Sequence, residues 1–153
     1  MSVNSTNDLR FCPASPTDAP VIFAMAKELI DTYEDCTAID YDKVIDWVQR
    51  KITNSIESYT CVYLGSDKVG FFCLTEESGQ CELDDLYVLP QFRGQGIGTA
   101  IVCRCITQTN KPLYLYVFKG NAGAVKLYTR MGFSVAENVS TSRFIMRRNV
   151  DRQ

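Results

Sequence analysis

The chain has 153 residues, 46% of them hydrophobic, which suits a single domain with one core, and we take residues 1–153 as that domain. A formal charge of −2 disfavours nucleic acid or an anionic membrane as the main partner, because such surfaces are bound by clustered Lys and Arg. The lack of histidine and the seven cysteines, an odd number without a Cys-x-x-Cys pair, disfavour a metal site, histidine-activated nucleophiles and a disulfide framework.

The N-terminal third predicts one short strand and two amphipathic helices. Its first residues are polar and include no apolar leader, so we expect a cytoplasmic protein. The strand is predicted at 9–12. A helix is predicted over 16–33, because Ser15 and the proline after it are preferred at helix starts and apolar residues then recur at helical spacing. A second helix is predicted over 41–52, with Asp40 as its N-cap.

The rest of the chain begins with β-rich runs and then alternates helices and strands. Three runs separated by turn residues predict an antiparallel meander at 59–64, 69–74 and 81–89. The elements expected next are a helix at 97–108, a strand at 113–118 and a helix from Asn121 to Gly132. The chain is then expected to end in a hairpin that turns around Glu137 and Asn138.

A glycine-rich loop follows the third run of the meander. Gly94, Gly96 and Gly98 alternate with larger residues, so backbone N–H groups can approach an anion at the N-terminus of the next helix. The spacing is neither that of a dinucleotide fingerprint nor that of a Walker loop. It is Gln/Arg-x-x-Gly-x-Gly, present from Gln91 to Gly96 and again from Arg93 to Gly98. We therefore expect a phosphate-binding loop, with glycines used only for tight packing as the alternative.

A second motif supports a family resemblance. Residues 121–133 have the form Asn-x-x-Ala-x-x-Leu-Tyr-x-x-x-Gly-Phe. The two motifs, in this order, resemble those of the GNAT superfamily of acyl-CoA-dependent N-acetyltransferases, whose element order also matches over nearly the whole chain. The resemblance implies an α+β fold, similar to an α/β sandwich, with a mixed, mostly antiparallel sheet of six to seven strands and about four helices. It also implies a splay between the strand ending at Val88 and the strand starting near Leu113.

The resemblance implies that acetyl-CoA binds as the acyl donor and that no metal is needed. Backbone groups at the end of the third meander strand would bond the pantetheine arm, and amides of the loop would hold the pyrophosphate. The expected contacts are Leu86, Tyr87, Val88, Arg93, Gly94, Gln95, Gly96, Ile97, Gly98, Thr99, Asn121 and Tyr128.

The expected catalytic residues are one tyrosine and two carboxylates. Tyr128 stands where many superfamily members place the general acid, although it also falls on the apolar face of its helix. Family members often use an acidic residue of the third meander strand as base, and we expect Asp84 first and Glu82 second. The period of two places both on one strand face and Asp85 on the other. Solvated surface carboxylates, or no dedicated base, are the alternatives.

The acceptor is the least defined part of this interpretation. The superfamily builds its acceptor wall where this chain has an acidic connector, which either recognises a cationic acceptor or is a solvated loop; its carboxylates are Asp31, Glu34, Asp35, Asp40 and Asp42. Trp47 is assigned to the core, with a substrate cage as the alternative. We expect acetyl transfer to a primary amine of a small molecule or peptide in a ternary complex. The alternative is a non-catalytic acyl-CoA sensor or partner-binding domain of the same fold, and a homodimer is left open.

Overall fold

The computed structural model describes residues 8–150, which form seven strands and four α-helices. The strands are β1 (Leu9–Pro13), β2 (Tyr59–Leu64), β3 (Asp67–Glu77), β4 (Gln80–Val88), β5 (Leu113–Phe118), β6 (Ser134–Asn138) and β7 (Arg143–Arg148). The helices are α1 (Ala19–Tyr33), α2 (Tyr41–Asn54), α3 (Ile97–Thr109) and α4 (Ala122–Arg130). This order confirms the predicted sequence of elements.

The strands form one sheet in the order β1-β2-β3-β4-β5-β7-β6. Every neighbouring pair is antiparallel except β4 and β5, which are parallel and pair only at Cys81 with Leu113 and at Glu82 with Tyr114. Beyond these residues the two strands separate. The predicted mixed α+β sheet and its splay are thus confirmed.

The sheet has an apolar cluster on each face, because successive side chains of a strand point to opposite faces. On one face, α1 and α2 cover a cluster that includes Ile22, Ile52 and Phe71. On the other face, α3 and α4 cover a larger cluster that includes Ile101 and Leu115. Burial of this apolar surface is the main force that holds the helices against the sheet.

A β-bulge interrupts β4 at Asp85, whose φ of +50° lies in the left-handed region, and the β3–β4 register shifts beside it. Before the bulge Leu83 packs on the α3 side, whereas after it Tyr87 packs on the α1 side. The inserted residue therefore breaks the period of two. The expectation that Asp85 faces away from Asp84 is wrong, because both carboxylates lie beside the ammonium group of Lys51.

Two further expectations are corrected by the structure. Glu137 and Asn138 belong to β6, so the hairpin turns directly after them, at 139–142. Trp47 is not a core residue, since 57% of it is exposed. The predicted cap of α2 is present, because the side chain of Asp40 accepts a hydrogen bond from the Lys43 amide at 3.3 Å.

Within residues 8–150, no helix combines the length and the apolar character needed to cross a membrane. The same part of the chain contains no group of three or more Cys, Asp or Glu side chains arranged to hold a metal ion. The polar N-terminal segment discussed above lies mostly outside the described residues.

Candidate active site

Two cavities meet where β4 and β5 separate. The loop cavity, of about 650 Å³, lies between α1, the end of β4, the glycine-rich loop and α4. The splay cavity, of about 600 Å³, lies between α1, α2, the separated strands and the β6–β7 turn. The residues that line both cavities are Leu29, Leu86, Tyr87, Asn121, Ala124 and Tyr128. A ligand in one cavity can therefore contact a ligand in the other.

The glycine-rich loop presents backbone groups to the loop cavity. Gly94 and Gly96 have φ values of +76° and +81°, a conformation that strains other residues. Gly96 is also the N-cap of α3, and no side chain caps this helix or places an acidic group in its first turn. The first amides of α3 and the positive end of its dipole are thus left for an anion.

Gly98 has different surroundings from the two glycines before it. A Cβ at Gly98 would lie 3.3 Å from Cδ2 of Leu127, whereas a Cβ at Gly94 would meet nothing within 4 Å. Gly98 thus allows α3 to approach α4 closely. Gly98 also lines the loop cavity, so the packing alternative considered from the sequence stays open beside a contact with the anion.

Two arginines add positive charge to the loop cavity. Nε of Arg93 donates a hydrogen bond to the Val88 carbonyl at 2.9 Å, and Nη2 of Arg130 donates to Oγ1 of Thr99 at 3.4 Å. Both arginines line the cavity. Guanidinium groups beside free helix amides fit a pyrophosphate. Arg130, at the end of α4, was not predicted from the sequence.

The open edge of β4 offers backbone groups to an extended ligand. The amide of Leu89 donates to the Val69 carbonyl at 2.8 Å, so Tyr87 and Leu89 direct their backbone groups toward β3. Leu86 and Val88 direct theirs to the opposite side, which the splay leaves without a partner strand. This edge fits the amides of a pantetheine arm. Of the three predicted backbone contacts, Leu86 and Val88 therefore lie on the open edge, whereas the backbone of Tyr87 is directed toward β3.

The remaining residues predicted to contact the acyl donor lie at or beside the loop cavity. Asn121, Ile97 and Thr99 line the loop cavity, while Gln95 lies in the loop but not among the lining residues. The side chain of Asn121 accepts a hydrogen bond from the Ala124 amide at 3.3 Å and so caps α4.

Tyr128 lies where the two cavities meet. Its ring packs edge-to-face on Phe133, with 5.7 Å between centroids, and only 8% of the residue is exposed. No other residue in the described range 8–150 forms a hydrogen bond with its hydroxyl. Burial, together with the charges of Cys105 and Asp84, raises the pKa of Tyr128 above its usual range. The phenol therefore keeps its proton at neutral pH and can donate it.

A cluster of three charged side chains lies on the wall of the splay cavity. Lys51 of α2 forms an ion pair with Asp84, and its Nζ lies 3.6 Å from Oδ2 of Asp85. Asp85 in turn accepts hydrogen bonds from the hydroxyls of Tyr59 and Tyr87, the latter at 2.7 Å. The bulge creates this cluster, because it brings two adjacent carboxylates to one lysine.

The environment of Asp84 suits a proton acceptor. Burial and the neighbouring charge of Asp85 raise the pKa of Asp84 to about 6, against the opposing effect of Lys51. Burial lowers the pKa of Lys51, but the charges of Asp85 and Asp84 outweigh it, and the net pKa is raised. Asp84 is thus mostly ionised at pH 7 and close to the pH at which it can exchange a proton. Glu82 also lines this cavity and accepts a hydrogen bond from the Tyr114 hydroxyl at 3.3 Å.

The outer wall of the splay cavity is aromatic and carries a cation. Trp47, Tyr116 and Val139 are 57%, 45% and 39% exposed and all line this cavity, together with Arg143 of β7. The Nζ atom of Lys51 lies 5.8 Å from the centroid of the Trp47 ring. An exposed apolar surface in a concave site is typical of a ligand site.

The acidic connector is placed elsewhere. Among the described residues, none of its five carboxylates lines the splay cavity. Asp31 pairs with Lys27 at 2.8 Å, Asp35 accepts from the Thr37 amide at 3.1 Å, and Asp40 caps α2. These local contacts favour the solvated-loop interpretation for Asp31, Asp35 and Asp40. The Glu34 side chain, by contrast, is only 12% exposed and accepts a hydrogen bond from the Ser142 hydroxyl.

Lys51, Arg130 and Arg143 are the functional candidates that sequence reasoning missed. Trp47 and Lys51 stand four positions apart, so a shared helix face was visible in the sequence. That this face borders a splay could not be read from the helix pattern, because Lys51 meets Asp84, a residue 33 positions further along the chain, only in the fold.

Comparisons with known proteins agree with this geometry. The family model described as Acetyltransferase (GNAT) family matches residues 23–133. A curated N-acetyltransferase of Methanocaldococcus jannaschii, itself uncharacterized, is 37% identical over 68 residues, which are 42% of this chain and 30% of that protein. The thialysine N-epsilon-acetyltransferase of Mus musculus is 34% identical over 80 residues, which are 50% of this chain and 47% of that protein. The chain thus spans less than half the length of these curated relatives.

A solved structure shares the whole fold. The PaiA N-acetyltransferase of Thermoplasma acidophilum, crystallised in complex with coenzyme A, superposes with a TM-score of 0.71 at 21% identity. The superposition covers 92% of this chain and 98% of that one. Since the family model covers most of the sequence and the overall fold matches as well, this chain belongs to the GNAT acetyltransferase family.

Proposed function

We propose that this protein transfers an acetyl group from acetyl-CoA to a primary amine of a small molecule or peptide, by direct attack in a ternary complex. The observation that carries the proposal is the meeting of two cavities at Tyr128, with Asp84 on the wall of the second. The similarity to the thialysine N-epsilon-acetyltransferase of Mus musculus supports an amine as acceptor, because that enzyme is named for acetylation of an amine.

The loop cavity would hold acetyl-CoA. Its pyrophosphate fits the amides after Gly96 together with Arg93 and Arg130, and its pantetheine arm fits the open edge at Leu86 and Val88. Because this edge leads to the shared wall of the two cavities, the thioester would lie beside Tyr128 and Asn121. Fixing both reactants in this way supplies much of the rate enhancement.

The chemistry then requires three proton transfers. Asp84 accepts a proton from the acceptor ammonium group, and the neutral amine attacks the thioester carbonyl carbon. A C–N bond forms and the C–S bond breaks, while the Tyr128 hydroxyl donates its proton to the departing sulfur. The attacking nitrogen, which is positively charged after the attack, loses its second proton to solvent. Solvent then returns a proton to Tyr128 and removes one from Asp84, which leaves an amide and the free thiol of CoA. Glu82, on the same cavity wall, is the second candidate for the base.

The non-catalytic alternative is supported by one observation. The ammonium group of Lys51 already occupies Asp84, so an acceptor amine must share or displace this ion pair. In an acyl-CoA sensor the ion pair between Lys51 and Asp84 would stay intact. Turnover decides between the two functions.

The first experiment is calorimetric titration of the protein with acetyl-CoA and with CoA. The test variant carries Gly94→Glu and Gly96→Glu, which place carboxylates at the expected phosphate site. The matched control carries Gly65→Glu and Gly79→Glu, since these glycines also have positive φ values, of +64° and +81°, and face open space. We expect micromolar binding that is lost in the test variant and kept in the control.

Release of free thiol from acetyl-CoA, measured with a panel of primary amines, then tests catalysis. Turnover with at least one amine supports the enzyme. Binding of acetyl-CoA without turnover of any amine supports the sensor, and absence of binding overturns both functions.

A further inference from the structure

Arg143 brings a cation with unused hydrogen-bond donors to the splay cavity. Its Nε atom is buried and has no hydrogen-bond partner among residues 8–150. The nearest acidic group is Glu34, whose Oε2 lies 4.0 Å from this nitrogen, beyond hydrogen-bond distance. Since 41% of the side chain is exposed on the cavity wall, the guanidinium can bind a ligand from the cavity.

Contacts beneath Arg143 hold it in place. Glu34 is only 12% exposed in its side chain, accepts a hydrogen bond from the hydroxyl of Ser142, and so fixes a negative charge under the guanidinium. The backbone amide of Arg143 donates to Oγ of Ser140 at 3.2 Å, and its Cζ lies 5.7 Å from the centroid of the Tyr116 ring. The arginine is therefore preorganised rather than a mobile surface side chain.

Strand geometry sets the distance between Arg143 and the proposed base. Arg143 pairs with Phe118, which lies four residues beyond the last β5 residue that pairs with β4. Asp84 lies two residues beyond the last β4 residue that pairs with β5. With about 3.3 Å per residue and about 4.8 Å between strands, their Cα atoms are on the order of 12 Å apart. The splay adds to this separation, so a ligand that reaches both residues has several bonds between its two ends.

We propose that the acceptor is an ω-amino acid or a similar molecule, with its amine at Asp84 and a carboxylate bound by Arg143. This proposal rests on the acetyl transfer proposed above and specifies its acceptor. A carboxylate matches the planar fork of a guanidinium. A phosphate dianion fits less well, because Glu34, Glu82 and Asp84 already place negative charge nearby. The exposed faces of Trp47 and Tyr116 would contact the apolar chain between the two ends.

The test compares acceptors that differ only in the carboxylate. We would measure kcat/KM for γ-aminobutyrate against propylamine and for ε-aminocaproate against pentylamine, each molecule having one amine. The variants are Arg143→Gln, the conservative Arg143→Lys, and the control Arg147→Gln, an exposed arginine on the same strand that does not line the cavity. Unchanged acetyl-CoA affinity and melting temperature would show that each variant is folded.

In the wild type we expect the carboxylate-bearing acceptor of at least one pair to be preferred. Arg143→Gln should reduce that preference about tenfold to a hundredfold, mainly through KM, since charge-assisted hydrogen bonds are lost. Arg143→Lys should restore part of it, and Arg147→Gln should leave it unchanged. No preference in the wild type, or an equal loss for both members of a pair, would overturn the proposal.

Calorimetry separates this proposal from the proposed function. The probe is ε-aminocaproate titrated into the protein with CoA bound, beside pentylamine. If no amine is acetylated but ε-aminocaproate binds more tightly than pentylamine and this difference requires Arg143, acetyl transfer fails and the carboxylate site stands. If turnover occurs without any role of Arg143, acetyl transfer stands and the carboxylate site is wrong.

Discussion

The loop cavity and the splay cavity are built from different kinds of groups. The loop cavity uses backbone amides, a helix dipole and an open strand edge, which depend on chain conformation and only weakly on side-chain identity. The splay cavity uses ionised side chains from α2, β4 and β7, brought together by a bulge and a strand separation. Substitution of single side chains can therefore change which acceptor is bound, while binding of the same acyl donor is kept.

The two cavities also differ in how their charges are arranged. In the loop cavity Arg93, Arg130 and the positive end of the α3 dipole outweigh Glu28, so salt should weaken anion binding there steadily. The splay cavity balances Lys51 and Arg143 against Glu82, Asp84 and Asp85, and removing one charge shifts the protonation of its neighbours. We therefore expect mutations in the splay cavity to change pH profiles, and mutations in the loop cavity to change affinity.

Tyr128→Phe is expected to have the largest effect, because it removes the proton donor at the junction of the two cavities. The rate of acetyl transfer should fall about 10²- to 10⁴-fold, with little change in acetyl-CoA affinity. Stability should not fall, since the hydroxyl has no hydrogen-bond partner among residues 8–150 and phenylalanine keeps the contact with Phe133. Thiol release and thermal unfolding measure both. A large loss of stability with retained turnover would assign Tyr128 to the core alone.

The sequence predicted the loop cavity better than the splay cavity for a physical reason. The glycine-rich loop and the α4 motif are local, and helix and strand periodicities gave the order of elements. The bulge at Asp85 adds one residue to a strand, a change that many sequences accept without a marker. The contacts of Lys51 with Asp84 and of Arg143 with Glu34 join distant parts of the chain. One sequence records no such pairing, so both basic residues read as ordinary surface charges.

Lys51→Met tests the charge balance of the splay cavity and should have the next largest effect. Loss of the ammonium leaves Asp84 and Asp85 facing each other, so the pKa of Asp84 should rise above about 6. Activity at pH 7 should fall about tenfold or more and recover as the pH is raised. The control is Lys43→Met on the same helix, whose side chain is 86% exposed. If the rate of Lys51→Met falls by the same factor at every pH, Lys51 does not set the pKa of Asp84, and this role is contradicted.

Asp84→Asn should reveal that the candidate base costs the protein stability. The pKa of Asp84 is raised from 3.8 to about 6 in the folded protein, so the folded state holds its proton more tightly than the unfolded state. Protonated Asp84 therefore stabilises the folded state. This contribution to the free energy of unfolding is fully present below about pH 4 and is lost as the pH rises to about 6.

The difference in unfolding free energy between wild type and Asp84→Asn should thus change by about 1 to 3 kcal/mol between these pH values, to the disadvantage of the wild type. Urea unfolding at several pH values measures it. A difference that does not depend on pH would show that Asp84 titrates normally and would weaken its assignment as the base.

Gly98→Ala is expected to have the smallest effect, and it tests the division of roles among the three glycines. The added Cβ would meet the tip of the Leu127 side chain at 3.3 Å, a flexible group that can move by a few tenths of an ångström. Alanine also favours the helix by up to about 1 kcal/mol, so stability should change by less than about 1 kcal/mol. Acetyl-CoA affinity should stay within about threefold, because the backbone amide is kept and the methyl group points at α4 rather than at the phosphate site. Calorimetry with acetyl-CoA and thermal unfolding measure the two effects. If the variant stays folded but loses more than tenfold in acetyl-CoA affinity, Gly98 contacts the bound pyrophosphate and all three glycines share one function.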